Sequence, residues 1–188
     1  MSERRILIGG IGNIFHGDDA FGVEVAHRLV NDKFPDSVSV VDFGIRGYDL
    51  AFALLEGYET AIMVDAVKRG AKPGTIYLIE IGAEHLNGTH GPVDAHSMNP
   101  LRVLELARHV GGPIGRVLLL GCEPESFGPE DEGRMGLSEV VQAAIEPAAD
   151  RIRLLVASLL AGRPPVGEQF EQSRKELSHG IEHQHQRA

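Results

Sequence analysis

Three short apolar runs within the first 70 residues, with segments of helical period between them, leave this chain few ways to fold. Residues 4–9 hold Ile6, Leu7 and Ile8 in unbroken succession before a glycine, 37–43 form a second β-branched run, and 60–67 contain Ala61, Ile62, Met63 and Val64. Runs that are apolar at every position, rather than every other one, belong to strands covered on both faces, as in parallel sheets between helices. After Asp19, Phe21, Val25, Ala26 and Leu29 recur at helical spacing, and the helix is expected to stop near Asn31. Leu50, Leu54 and Leu55 mark a short helix over 48–55. Further along, 74–81 and 116–120 read as the fourth and fifth strands, and 99–110 and 137–161 as helices.

This order predicts an α/β fold, a three-layer α/β/α sandwich around a mixed, mostly parallel sheet of about five strands. The link between the third and fourth strands turns at Pro73-Gly74 and cannot hold a crossover helix. That pair is therefore expected to form an antiparallel hairpin at one side.

A chain of 188 residues can bury one hydrophobic core without disulfides or structural metals, and a single α/β domain over 1–162 is expected. From 163 to 188 the character changes: Pro164-Pro165 precede a polar stretch with His179, His183 and His185, expected to be disordered. The only cysteine, Cys122, cannot form an intramolecular disulfide, which points to a reducing compartment and a cytoplasmic protein; a monomer is expected. The opening MSERRILIGG has too short an apolar run for a signal-peptide core or a membrane span. With 18 basic against 27 acidic residues and no basic stripe interleaved with aromatics, nucleic acid is excluded as a partner.

Sheets of this class bind ligands beyond the carboxyl ends of their parallel strands. Asp18 and Asp19 follow the first strand, Asp42 ends the second, Asp65 ends the third, and His96 precedes a helix in Asp94-Ala95-His96-Ser97. Asp19, Asp65 and His96 make a nitrogen/oxygen ligand set suited to nickel or zinc, with positions left open for water or substrate. The same residues equally serve acid–base chemistry. Asp18 and Asp19 also have a plainer reading as carboxylates at a helix N-terminus. Asp65 is harder to explain away, because a carboxylate beside buried surface needs a partner. Cys122 reads as a small buried residue, and no GxSxG or HExxH is present. A dinucleotide fingerprint fails: with Gly10 and Gly12 as its first two glycines, the third falls on Phe15, and Asp42 lies beyond the expected ~20 residues.

The segment Gly10-Ile11-Gly12-Asn13-Ile14-Phe15-His16-Gly17-Asp18-Asp19-Ala20-Phe21-Gly22 resembles the opening signature of nickel-iron hydrogenase maturation endopeptidases. The resemblance continues through Asp42-Phe43-Gly44-Ile45-Arg46-Gly47, Val64-Asp65-Ala66, Lys72-Pro73-Gly74-Thr75, His96 and Leu120-Gly121-Cys122-Glu123-Pro124, and so spans residues 5–160. It implies an α/β/α peptidase that trims a C-terminal peptide from the hydrogenase large-subunit precursor once nickel is in place. The metal-contacting residues then map to Asp19, Asp65 and His96. Nickel comes with the substrate, and another divalent ion can occupy the same ligands. Asp42 falls in a loop implicated in substrate recognition and cleavage. There the family often has Asp-Gly-Gly-Thr, whereas this chain has Phe43, which lacks glycine's backbone freedom, so the loop is expected to differ in geometry. The alternative is a non-catalytic nickel-binding chaperone for hydrogenase assembly, motivated by the histidines of the tail.

Overall fold

The computed structural model describes residues 4–82, 100–128 and 133–163. Five strands, β1 (Ile6–Ile11), β2 (Val38–Gly44), β3 (Thr60–Ala66), β4 (Ile76–Glu80) and β5 (Arg116–Cys122), form one sheet in the order β2-β1-β3-β5-β4. All neighbours are parallel except β4 and β5. The helices are α1 (Phe21–Leu29), α2 (Gly47–Ala53), α3 (Pro100–Val110), α4 (Glu139–Gln142) and α5 (Ile145–Leu160), with a 3-10 helix over Gly17–Ala20 leading into α1. Among the described residues no helix is long and apolar enough to cross a membrane. The tail histidines and His96 lie outside the described residues.

Strand alternation sorts the core into two layers. Ile6, Ile8, Ile62, Val64, Leu118 and Leu120 pack with α1 and α5 on one face. Leu7, Ala61, Met63, Val117 and Leu119 meet α2 and α3 on the other, which is the three-layer arrangement expected. Two glycines set how closely α1 sits. A Cβ on Gly10 would meet the Gly22 carbonyl oxygen at 2.3 Å, and one on Gly22 would meet the Val64 and Ile11 carbonyl oxygens at 2.0 and 2.3 Å.

Two expectations are corrected. β4 is antiparallel, but β5 lies between it and β3, so the two are not a hairpin. β5 is buried almost throughout and paired along both edges, whereas β4 is half-exposed. Residues 67–75 easily span the ~10 Å of two interstrand spacings, so the more apolar strand takes the interior and β4 the edge. The helix expected over 137–161 is split into α4 and α5 around Ala143 and Ala144. Pro147 has no N–H to give the Ala143 carbonyl, so a new helix starts with the proline in its first turn, where that donor is not needed.

The close approach of α1 decides between two opposing effects at Gly22. Alanine gains up to ~1 kcal/mol of helix propensity, but its Cβ collides with backbone that cannot step aside. Gly22→Ala is expected to destabilise the protein by about 3 kcal/mol in urea unfolding; a midpoint at or above wild type would refute this packing account.

Candidate functional site

The site is built by loops at the carboxyl ends of β1, β3 and β5. After β1 the chain turns on Gly12, at φ +134°, where any side chain would strike the Asp19 carbonyl oxygen at 1.8 Å. The Asn13 side-chain oxygen accepts the Phe15 N–H at 3.0 Å, a local turn that brings the chain round into the 3-10 helix. Asp19 returns the connection, with Oδ2 accepting the Asn13 N–H at 2.7 Å.

Asp18 and Asp19 are neighbours with opposite fates. Asp18 is fully buried (0% exposed). Its Oδ2 accepts N–H bonds from Glu125 and Ser126 at 2.8 and 2.9 Å and the Ser138 hydroxyl at 3.0 Å, and Oδ1 accepts the Ser138 N–H at 2.6 Å. Burial pushes this carboxyl upward, but the bonds from Ser126, Ser138 and Glu125 outweigh it and hold it below the usual carboxylate range. It caps neither its own 3-10 helix nor α1, since neither N-cap has a side-chain bond. Both acids do lie in the first turn of the 3-10 helix, as a helix N-terminal reading expects, but neither makes a capping bond.

Asp65 is 5% exposed at the end of β3 and follows Ala61 and Met63 on the α2/α3 side of the sheet. The Ala66 N–H, at 2.8 Å from Oδ1, is its hydrogen-bond partner. Burial pushes its carboxyl well up, the charge of Asp19 pushes it further, and the single N–H offsets only part. Asp19 is also raised, by burial, against the pull of the Asn13 N–H and His16. The two carboxylates thus share one electrostatic environment in which both cannot comfortably be charged. A positive charge close to both would ease that cost. Among the described residues no group of three His, Cys, Asp or Glu side chains is placed to hold a metal ion. His96 falls outside the described residues.

Asp42 is placed apart from this pair. It follows Val38 and Val40 on the α1 side of β2, and its Oδ2 lies 2.9 Å from His27 Nε2 of α1. Its loop nevertheless borders the site, through the Gly12 N–H bonded to the Gly44 carbonyl at 3.0 Å. Phe43 needs no glycine-like backbone: it sits in a bulge opposite Gly10 and Ile11 with its ring buried against Gly9, and Gly44 takes the left-handed conformation at φ +53°. Arg46 secures the turn by donating to the Phe43 and Asp42 carbonyls.

Sequence reasoning missed Glu123, which is 4% exposed. Its carboxylate accepts the Arg69 and Gly70 N–H groups and the Tyr77 hydroxyl, the last at 2.6 Å, and so folds the loop after β3 against the end of β5. A carboxylate directly after a buried strand was the available signal, the same one that singled out Asp65. Cys122 is buried, and burial with the charges of Asp18 and Glu123 pushes its thiol up to about 12, which removes it as a nucleophile.

Asp18 and Asp65 predict opposite responses to the same change. Asp18→Asn puts an amide among donors and is expected to lose about 3 kcal/mol of stability. Asp65, raised in the fold above an unfolded value near 3.9, keeps its proton when the unfolded chain has released it, so stability falls as pH rises from there through the folded value. Asp65→Asn should therefore raise Tm at neutral pH in chelator-treated buffer, with the gain fading below about pH 4. Calorimetric scans across pH check both; a Tm loss for Asp65→Asn at pH 7 would contradict the burial account.

The fold and the sequence have counterparts among known proteins. A family model described as hydrogenase maturation protease matches residues 23–153. A Methanocaldococcus jannaschii protein whose name assigns it provisionally to the hydrogenase maturation proteases is 37% identical over 153 residues, covering 81% of this chain and 96% of its own. The Escherichia coli hydrogenase 2 maturation protease is 32% identical over 154 residues, covering 79% and 88%. Among solved structures, the hydrogenase maturating endopeptidase HybD of Escherichia coli superposes with a TM-score of 0.64 at 28% identity, covering 84% of this chain and 94% of that one. With its five-stranded α/β/α sheet and these relatives along most of its length, the chain belongs to the hydrogenase maturation proteases, a family of peptidases.

Proposed function

We propose that this peptidase removes a C-terminal peptide from the nickel-loaded large-subunit precursor of a nickel-iron hydrogenase, acting in the cytoplasm as a monomer and using the precursor's nickel as its recognition element. The observation that carries this reading is the Asp19–Asp65 pair: two carboxylates at the sheet's carboxyl end, one of them buried, each made harder to ionise by its surroundings. Nickel arriving with the substrate would relieve that cost, so a metallated precursor gains an interaction that an empty one lacks. Discrimination then comes from positioning, because only the anchored precursor presents its scissile bond in register. His96 completes the ligand set on the strength of the resemblance.

The chain's own residues supply placement more than covalent chemistry. Asp18 and Glu123 hold the loops, and the 42–47 turn, which carries Asp42 on His27, borders the site as a surface for the substrate's chain. Cys122, buried and with its thiol pushed up to about 12, is set aside as the attacking group.

Cleavage of the co-expressed large-subunit precursor, with and without nickel in the medium, tests the proposal. Wild type should trim only the nickel-loaded form, and Asp19→Asn, Asp65→Asn and His96→Ala should each lose about 10²-fold or more in rate. Full trimming by all three variants would sink the site, and nickel binding without trimming by wild type would favour the chaperone alternative.

A further inference from the structure

The described residues include nine exposed large hydrophobic side chains, and six of them, Ile14, Phe15, Ile45, Tyr48, Phe52 and Met135, lie on segments at the carboxyl end of the sheet. Phe15 is 56% exposed, and Tyr48 and Met135 are each 71% exposed. Backbone bonds join these segments into one surface. The Gly12 N–H meets the Gly44 carbonyl at 3.0 Å, the Arg134 N–H meets the Phe15 carbonyl at 2.7 Å, and the Gly17 N–H meets the Arg134 carbonyl at 2.6 Å. The 13–16 loop therefore runs between the turn bearing Ile45 and the strand-like segment bearing Met135, while Tyr48 and Phe52 follow one helical turn apart on α2.

From this we propose that the apolar rim is a docking surface for an apolar face of the folded precursor, distinct from the carboxylate pair that handles the reacting segment. The inference rests on the peptidase reading given above. Three observations select the occupant. Ile14 and Phe15 of the rim follow directly on Asn13, whose N–H binds Asp19, so the rim lies next to the place where a substrate would be cut. Its content of aromatic residues and methionine, with Arg46 and Arg134 at its border, is that of interface centres and not of ordinary surface. A second copy of this chain seated on the rim would cover the enzyme's own site. The loops are already locked by backbone bonds, so docking orders little, which favours a firm complex with a folded partner.

The test uses the full chain and the purified nickel-loaded precursor, with Kd from binding to immobilised precursor, and KM and kcat from cleavage. Phe15→Ser, Tyr48→Ser and Met135→Ser should each raise Kd and KM about tenfold or more with kcat held within about twofold. Val110→Ser and Leu154→Ser, exposed away from the rim, should change neither, and circular dichroism should show all five folded. Wild-type Kd and KM in all three rim variants would overturn the proposal. So would a wild-type dimer in light scattering that Tyr48→Ser converts to monomer, since the rim would then belong to a second copy. A wild type that binds the precursor without cutting it defeats the peptidase reading instead, and the rim is then judged on Kd alone.

Discussion

The buried carboxylate of Asp18 is the interaction on which the working end of this molecule depends. Its two oxygens collect three backbone N–H groups and a hydroxyl from residues more than 100 positions away, tying the loop after β1 to the loop after β5 and the start of α4. Bonds to an ionised acceptor are stronger than neutral ones, and a buried carboxylate left without them would be costly. The arrangement is therefore close to all-or-none, and Asp19, the next residue, inherits its position from it. Glu123 does the same for the loop after β3, so two acids with several donors each stand beside Asp19 and Asp65, which have one backbone N–H apiece.

That contrast separates structure from function among four acids of similar setting. Asp18 and Glu123 are held below the usual carboxylate range because their donors outweigh their burial; Asp19 and Asp65 are held above it because theirs do not. A fold selected only for stability would have no use for a buried Asp65 with one N–H and a like charge nearby. Burial and like charge make Asp65 costly to ionise, and a perturbed acid of this kind is characteristic of functional sites.

The sequence made some of this readable and hid the rest for identifiable reasons. β1 and β3 were plain because apolar runs on both faces admit few alternatives, and Asp65 stood out against such a run. The neighbour of β4 was not readable, since adjacency in a sheet is settled by which strand has more apolar surface to cover, a comparison between distant segments. Pro147 did carry the break between α4 and α5, but the helical period on either side masked it. Asp18 and Asp19 looked alike because a 3-10 turn rotates successive side chains by about a third of a circle, and nothing local says which one turns inward. The His27–Asp42 pair depends on how α1 lies over β2, and no short motif encodes it.

The claim at the centre is that Asp19 and Asp65 form one coupled electrostatic site. The most direct measurement is a carbon NMR titration of the Asp65 side-chain carboxyl in wild type and in Asp19→Asn, both treated with chelator. A midpoint above the ordinary carboxylate range that moves down when Asp19 is neutralised is the result this account predicts. An ordinary midpoint, or a raised one indifferent to Asp19, would contradict it.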